Sequence, residues 1–385
     1  MISTRIWSAA VVSTLFLVGC NCRSESGFNP IDPHQGLEND HGSWLSMDLA
    51  PDGRLAVAFY DRTRGAVGFA VGDEVAEGRI AWRYEEVDGY PDKEGLNPGD
   101  RGKYASMKVT PDGAVWVAYH DSANGALRAA KRTGATWESE LADAGSGLAP
   151  SAGHWASLDL DADGNPVVAH HEAGQKVLRV ARHDGTAWSA DTVWEGTDWT
   201  GPDETGEVVT RPADVGQFAR LLIHDGTEYI AFYDAARQSL DLLEGTAGAY
   251  THTVVHDGVD VGQWPSIWTD GTDLAIAFHD VADQDLLLAT RSGGGAFSVE
   301  VVDDGEFVGA DTEVFKKDGD YAILYFDGRY NDMKLATRSE GSWTRETLGG
   351  ETTAVGFHNE VVETGDGWWV ASYDYTHRDI YVREL

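Results

Sequence analysis

The sequence predicts an all-β fold, a seven-bladed β-propeller built from four-stranded antiparallel blades. The first indication is residues 262–291, where short apolar runs alternate with polar turns, as in a β-meander. The second is a glycine followed 18 or 19 residues later by an acidic residue, a pair that occurs seven times. Because a unit of roughly 45–60 residues with four short strands is typical of a propeller blade, the repeat predicts a ring of seven.

Each blade is placed by its glycine and its acid. The glycine opens the innermost strand and the acid closes the second strand, so both lie on one face of the ring, named the top face. The opening glycines are Gly42, Gly102, Gly153, Gly216, Gly262, Gly309 and Gly356. The repeated acids are Asp61, Asp121, Glu172, Asp234, Asp280, Asp327 and Asp374. Because all seven blades have one, these acids are predicted to be structural hydrogen-bond acceptors rather than catalytic groups.

The chain begins with a segment that is not expected to belong to the propeller. Residues 1–19 combine Arg5 with a short apolar run, as a signal peptide does. The run ends in Leu17-Val18-Gly19-Cys20, which resembles a bacterial lipobox. That resemblance implies cleavage before Cys20 and acylation of its thiol, and Asn21 implies sorting to the outer membrane. We therefore expect a cell-envelope lipoprotein, with an ordinary secretory signal and an incidental cysteine as the alternative.

Residues 20–41 are predicted to be a lipidated tether, and residues 42–385 the propeller domain. The last blade ends at Leu385, after only its third strand. The segment SGFNPID, which contains Phe28, would supply the missing outer strand and close the ring. The alternative is that this segment is a plain linker.

The composition is strongly acidic, with a formal net charge of −35. Such a field makes nucleic acid and anionic lipid surfaces poor partners and cationic ligands better ones. The alternative explanation of the charge is solubility. The chain is expected to be a monomer that contacts the membrane only through its lipid anchor.

The most informative positions are those at which the repeat breaks. Two residues after the opening glycine, blades six and seven carry Asp311 and His358. Four residues after it, Arg220, Glu313 and Glu360 stand where the other four blades have serine. Alternation along a strand predicts that both positions face the central channel near the top face. The aromatic residues at the first of these positions in the other blades are Trp44, Tyr104, Trp155, Phe218 and Trp264.

These breaks predict a ligand site. Asp311, Glu313, His358 and Glu360 form a candidate oxygen-rich cation site, for Ca²⁺ or Mn²⁺ more than for Zn²⁺. Without a cation, repulsion between the carboxylates should raise the pKa of at least one of them. The alternative is a salt-bridge patch in which Arg220 or His358 compensates the acids. A second calcium hypothesis rests on Asp159-x-Asp161-x-Asp163-Gly164, which matches the start of an EF-hand loop but has His170 at its twelfth position. The alternative is that this segment is the ordinary bottom turn of blade three.

Long connections also gather on the top face, at residues 88–101 and 194–214. Loops on a rigid scaffold commonly carry binding residues. Tyr90, Trp194 and Trp199 are therefore predicted to be exposed ligand contacts.

The turn before the fourth strand resembles the Asp box of sialidase-like propellers. Its sequence is Ser292-Gly-Gly-Gly295-Ala-Phe297 in blade five and Ser339-Glu-Gly341-Ser-Trp343 in blade six. The resemblance implies the fold alone, and the arginine triad of sialidases is not found. We therefore keep two hypotheses for function. The first is a binding module for a glycan, peptide or protein at the top face; the second is a sialidase-like glycoside hydrolase or a polysaccharide lyase that uses the carboxylates of blades six and seven.

Overall fold

The computed structural model describes residues 40–76, 79–92, 94–203, 205–350, 352–365 and 367–385, and it confirms the seven-bladed propeller. Six antiparallel sheets have four strands, and the described part of the seventh has three. The predicted signal peptide, Cys20 and the closing strand around Phe28 lie outside the described residues. In the part of the chain that is described, no helix has the length and apolarity needed to cross a membrane.

The first four blades follow the repeat in chain order. Blade one contains β1 (His41–Leu49), β2 (Leu55–Asp61), β3 (Ala66–Ala76) and β4 (Arg79–Asp88). Blade two contains β5 (Arg101–Val109), β6 (Val115–Asp121), β7 (Ala126–Thr133) and β8 (Thr136–Asp143). Blade three contains β9 (His154–Leu160), β10 (Pro166–Glu172), β11 (Val177–His183) and β12 (Trp188–Trp194). The hairpin β13 (Trp199–Pro202) and β14 (Val208–Arg211) precedes blade four, which contains β15 (Val215–His224), β16 (Thr227–Asp234), β17 (Ser239–Thr246) and β18 (Ala249–Asp257).

The last three blades continue the same order. Blade five contains β19 (Val261–Thr269), β20 (Asp273–Asp280), β21 (Asp285–Ser292) and β22 (Ser298–Asp303). Blade six contains β23 (Val308–Lys317), β24 (Asp320–Asp327), β25 (Asp332–Ser339) and β26 (Ser342–Gly349). Blade seven contains β27 (Val355–Glu363), β28 (Trp368–Asp374) and β29 (Asp379–Glu384). The innermost strand of each blade is the one that the opening glycine starts.

Each junction between blades is made by backbone atoms. The N–H of Val261 in blade five donates to the carbonyl oxygen of Gln238 in blade four at 3.1 Å. Gly262 follows with φ of +111°, and a Cβ there would lie 2.6 Å from the backbone of Leu240. Only glycine accepts both that dihedral angle and that approach without strain.

An equivalent backbone hydrogen bond closes the ring between the last blade and the first. The N–H of His41 donates to the carbonyl oxygen of Arg378 at 2.9 Å. An apolar core then joins the two blades, with Val57 and Phe59 packed in one cluster with Trp369 and Ile380. The ring therefore closes through the innermost strands and this shared core, whatever the outer strand of blade seven is.

The repeated acids are structural, as predicted. Asp374 accepts the backbone N–H groups of Thr376 and His377 at 2.8 and 3.0 Å, which fixes the turn between the second and third strands. Asp234 binds two N–H groups of its own turn in the same way. Such side-chain caps of tight turns are a common use of aspartate.

Serine hydroxyls add a second link between blades. The Oγ of Ser157 in blade three accepts the N–H of Leu221 in blade four at 2.9 Å. Equivalent bonds run from Ser46 to blade two, from Ser106 to blade three and from Ser266 to blade six. At the other three junctions the equivalent positions are Arg220, Glu313 and Glu360, and in the described residues no such bond is found there. These three junctions lack the serine link.

Ser157→Ala is expected to lower the free energy of unfolding by about 1–3 kcal/mol, because the buried N–H of Leu221 would lose its acceptor. Urea denaturation followed by circular dichroism would measure the change. Ser189→Ala, at an exposed position of β12 in the same blade, is the matched control and should change stability little. Equal effects of the two substitutions would show that the hydroxyl does not link the blades.

Candidate functional site

A cavity of about 130 Å³ lies in the top-face end of the central channel. Its mouth is formed by the seven residues that stand two positions after the opening glycines, which we name the upper ring. All seven are half-buried. The upper ring consists of Trp44, Tyr104, Trp155, Phe218, Trp264, Asp311 and His358.

The backbone of the upper ring differs from the regular strand that the sequence predicts. All seven residues have left-handed φ values, between +47° and +57°. The pairing register of the innermost strand also shifts there, between Ala310 and Glu313 in blade six. Such a β-bulge inserts one extra residue and redirects its side chain. Asp311 and Glu313 do both line the cavity, but the bulge interrupts the regular alternation that the prediction assumed.

Six of the seven upper-ring side chains form a continuous wall of rings. Neighbouring ring centroids from His358 through Trp44 to Trp264 are 4.8–5.6 Å apart, and their planes are inclined by 36–56°. If the ring planes run parallel to the seven-fold axis of the propeller, the planes of neighbouring rings differ by about 51°. If the rings lie perpendicular to the axis, neighbouring planes are nearly parallel. The aromatic side chains therefore stand as a wall around the axis, and Asp311 completes the circle.

Charged residues form the floor of the cavity, four positions after the opening glycines. Arg220 reaches across the channel from blade four and donates through Nη2 to the carboxylate of Glu313. Its Nη1 lies 3.9 Å from Oε1 of Glu360. The compensating role of Arg220, which was the alternative to a cation site, is thus what the structure shows.

Burial controls the protonation of these groups. It raises the pKa of Asp311, and it raises the pKa of Glu313 in spite of the attraction of Arg220. Burial first, and repulsion by Glu313 second, raise the pKa of Glu360 to about 8. Burial also lowers the pKa of His358. The predicted rise of a carboxylate pKa is confirmed, although loss of hydration contributes more to it than repulsion does.

The predicted four-residue cation site is not formed. Among the described residues, no group of three or more His, Cys, Asp or Glu side chains is placed to hold a metal ion. Arg220 takes the place that the cation would have had. Asp311 instead lies beside His358, with 3.8 Å between Oδ1 and Nδ1.

The EF-hand-like segment is an ordinary turn at the face opposite the top face. Asp161 accepts the N–H groups of Asp163 and Asn165 at 3.0 and 2.8 Å. Asp159 uses Oδ2 to bind the N–H of Ile223 in the next blade at 2.7 Å. These carboxylates therefore bind backbone N–H groups, as in an ordinary turn, and the described part of this segment contains no group of three or more acids or histidines that could hold a metal ion.

The predicted loop aromatics lie away from the cavity and are half-buried rather than exposed. Trp194 stacks on His252, with ring centroids 4.3 Å apart. Trp199 lies against the guanidinium of Arg211 at 4.8 Å, and Tyr90 contacts the hydroxyl of Tyr84. Trp194 also packs on the apolar core between blades three and four, and none of the three side chains lines the cavity.

Asn359 is a cavity residue that the sequence interpretation missed. It is 4% exposed, and its Nδ2 donates to the carbonyl oxygen of Asp311 at 2.9 Å. A signal for it exists three positions after the opening glycine, where blades one to five have Leu or Ala or Pro and blades six and seven have Thr312 and Asn359. The repeat thus breaks at a third position in the same two blades.

Known proteins resemble this chain in fold. No family model and no curated protein matches it. The polysaccharide lyase Uly1 superposes with a TM-score of 0.54 at 10% identity, over 93% of this chain and 91% of that one. NanB sialidase from Streptococcus pneumoniae gives 0.45 at 10% identity, over 93% and 69%. A protein of unknown function from Dyadobacter fermentans gives 0.49 at 10% identity, over 83% and 96%. At 10% identity, the likeness to Uly1 shows the propeller fold alone.

Glu360→Gln is expected to remove a pH dependence of stability. The carboxyl group of Glu360 has a higher pKa in the folded chain, about 8, than in the unfolded chain, about 4.5. Stability from this group is therefore full below pH 4.5, falls as the pH rises towards 8 and is constant above that. The free energy of unfolding of the variant, compared with that of wild type, should therefore be higher at pH 8 than at pH 5 by about 1–3 kcal/mol.

Urea denaturation of both proteins at the two pH values would measure the gain. Glu363→Gln is the matched control, because Glu363 lies exposed at the end of the same strand. If the variant and wild type differ in free energy of unfolding by the same amount at pH 5 and pH 8, Glu360 is ionised throughout this range.

Proposed function

We propose that the upper cavity binds a glycan and that the chain is a glycan-binding propeller module. The observation that carries this proposal is the wall of five aromatic rings around a cavity whose remaining side is polar. Sugar rings have apolar C–H patches that pack on aromatic side chains, and hydroxyl groups that need hydrogen-bond partners. Asp311 and the charged floor supply such partners beside the rings.

Exposed apolar side chains also favour the top face as the binding surface. Of the large apolar side chains that are exposed among the described residues, three lie on outermost strands, six lie in top-face loops and Val208 lies in the β13–β14 hairpin between blades three and four. Apolar groups gathered on one face commonly mark an interaction surface. The seven residues are Leu96, Leu148, Val208, Val259, Phe307, Tyr330 and Tyr375.

A second candidate function is acid–base chemistry on the bound glycan. Glu313 and Glu360 lie beside the same guanidinium of Arg220, and burial raises the pKa of both, that of Glu360 to about 8, so that Glu360 keeps its proton at neutral pH. Because both contact one guanidinium, they cannot lie farther apart than the roughly 10 Å limit for glycosidase pairs. A carboxyl group that keeps its proton at neutral pH can act as a general acid, and a second carboxyl group close to it is the usual partner in glycoside hydrolysis.

We also propose that the domain is held at the outer membrane by acylated Cys20. The support is the sequence around Cys20, which resembles a lipobox. Two or more acyl chains on one residue would anchor a protein stably.

Trp155→Ala is expected to weaken glycan binding by at least about tenfold, because it opens the middle of the aromatic wall. The purified full chain would be titrated with neutral, acidic and basic oligosaccharides while its tryptophan fluorescence is followed. Trp44, Trp155 and Trp264 lie in the wall, so binding should change the emission.

Trp199→Ala is the matched control, since Trp199 lies on the top face outside the cavity. Binding that survives Trp155→Ala but not Trp199→Ala would move the site to the outer loops. If no oligosaccharide binds, the proposed function is wrong. Mass analysis of the bound oligosaccharides after long incubation separates the two candidates, because shortened products would indicate catalysis and intact ligand would indicate binding alone.

Cys20→Ala is expected to prevent acylation and release the protein from the membrane. Detergent partitioning and mass spectrometry of the mature chain would test this. Cys22→Ala is the natural control, because it changes a neighbouring thiol and should leave the anchor intact. A mature chain that starts elsewhere, or that lacks the acyl mass, would contradict the proposal.

A further inference from the structure

The side chain two positions before the opening glycine joins neighbouring blades at four of the junctions. Tyr60 of blade one, for example, donates its hydroxyl to Asp100 at this position of blade two, at 2.7 Å. The seven residues at this position are Asp40, Asp100, Ser151, Asp214, Asp260, Phe307 and Ala354. Blades six and seven, which also form the polar side of the upper cavity, are therefore the two that have an apolar residue there.

Phe307 replaces an aspartate without a change in the backbone. Its φ is +58°, and that of Asp260 in the preceding blade is +59°. Its carbonyl oxygen accepts the N–H of Gly328 at 2.8 Å, as that of Asp260 accepts the N–H of Val281 at 2.9 Å. Aspartate tolerates this left-handed conformation, whereas a bulky side chain is strained in it. Phe307 is also 42% exposed, so both its strain and its exposure oppose folding and point to a role in binding.

Gly328 leaves room for this exposed ring. It follows the repeated acid of blade six, and in the other blades the residue that follows the acid has a side chain. Those six residues are Arg62, Ser122, Ala173, Ala235, Val281 and Tyr375. A Cβ at Gly328 would overlap Cδ1 of Phe307, so any other residue there would displace the ring. Blade six thus differs from the others at two matched positions, and both differences hold one ring at the surface.

The ring of Phe307 is continuous with the aromatic wall of the upper cavity. Trp264 of the wall contacts His279, with ring centroids 5.7 Å apart, and His279 contacts Phe307, with centroids 5.8 Å apart. The ring of Phe307 therefore lies no farther from that of Trp264 than these two steps together. Because the loop before β23 that carries Phe307 crosses the top face, a chain of a few sugar residues that starts at Trp264 is long enough to reach it.

Polar groups flank the exposed ring. Glu306 precedes Phe307 in the chain and pairs with Arg329, with 2.8 Å between Oε2 and Nη1. Arg329 also lies 5.3 Å from the centre of the Tyr330 ring, and Tyr330 is 60% exposed. Sugar C–H faces pack on such rings, and sugar hydroxyls can bond to the carboxylate and the guanidinium. We name these four residues, Glu306, Phe307, Arg329 and Tyr330, the blade-six platform.

We propose that the blade-six platform is an outer subsite of the glycan site, so that the ligand is an oligosaccharide chain of several residues rather than a single terminal sugar. This inference rests on the proposed glycan-binding function and adds the length and the direction of the ligand. The chain would leave the upper cavity beside Trp264 and cross the top of blade six on the ring of Phe307.

Calorimetry on the full chain would measure how affinity depends on the length of the ligand. The probes are dimers and hexamers of β-1,4-linked glucose, of β-1,4-linked glucosamine and of α-1,4-linked galacturonic acid, which are neutral, basic and acidic. In a series that binds, the hexamer should bind at least about tenfold more tightly than the dimer, because only the hexamer is long enough to contact the platform as well as the cavity.

Phe307→Asn should remove at least about tenfold of the affinity for the hexamer and leave the affinity for the dimer unchanged. The variant should fold, because asparagine accepts the left-handed backbone at this position, and its net charge is that of wild type. Phe307→Tyr keeps the ring and should keep the affinity. Leu141→Ala removes an exposed apolar side chain from the outermost strand of blade two and is the matched control.

The outcomes separate the two proposals. Equal affinities of dimer and hexamer, or a hexamer affinity that Phe307→Asn leaves unchanged, would overturn the outer subsite and keep the glycan site in the cavity. An equal loss for dimer and hexamer in Phe307→Asn would show that the ring supports the wall of the cavity, and this too would overturn the outer subsite. If none of the oligomers binds to the wild-type chain, the proposed function is wrong and the outer subsite with it.

Discussion

The approach of each innermost strand to the blade before it is the constraint on which the structure depends. A backbone bond such as that from Val261 to Gln238 brings the chain so close that a Cβ at Gly262 would collide with Leu240. The glycine then leaves the strand with a positive φ, and a second bulge follows two residues later. The upper ring is therefore a product of the junction itself. The fold cannot form its joints without also turning seven side chains towards the mouth of the channel.

The charged residues of the cavity floor replace serines that would otherwise form hydrogen bonds between blades. Where Ser157 binds the N–H of the next blade, Arg220, Glu313 and Glu360 bind one another across the channel instead. A net hydrogen bond contributes about 1 kcal/mol, and burying the acids opposes folding further. Proteins commonly accept such local losses at sites that serve a function. The remaining links are sufficient to hold the ring.

Much of this architecture could be predicted from the sequence, because all seven blades keep the same distance from glycine to acid although their other residues differ. The distance from glycine to acid fixed seven blades, and the loss of aromatic and serine residues in blades six and seven located the polar side of the cavity. Trp194 and Trp199 are half-buried rather than exposed because they pack on His252 and Arg211, and the period of the repeat does not determine such contacts. Asp311 was assigned to a regular strand because bulges are invisible in a pattern of polar and apolar residues, and the pairing of Arg220 with Glu313 depends on distances across the channel.

The left-handed geometry shared by the upper ring has a consequence for how such a cavity can change. Since all seven positions have nearly the same φ value and the same place relative to the axis, they are structurally equivalent positions. A side chain moved from one of these positions to another would have a similar backbone conformation. Substitutions could therefore move the polar side of the cavity to other blades, or extend it by one blade at a time. Asparagine, aspartate, histidine and glycine fit a left-handed position with least strain. Recognition of a new ligand could then be engineered, or could evolve, by substitutions at seven codons without redesign of the ring.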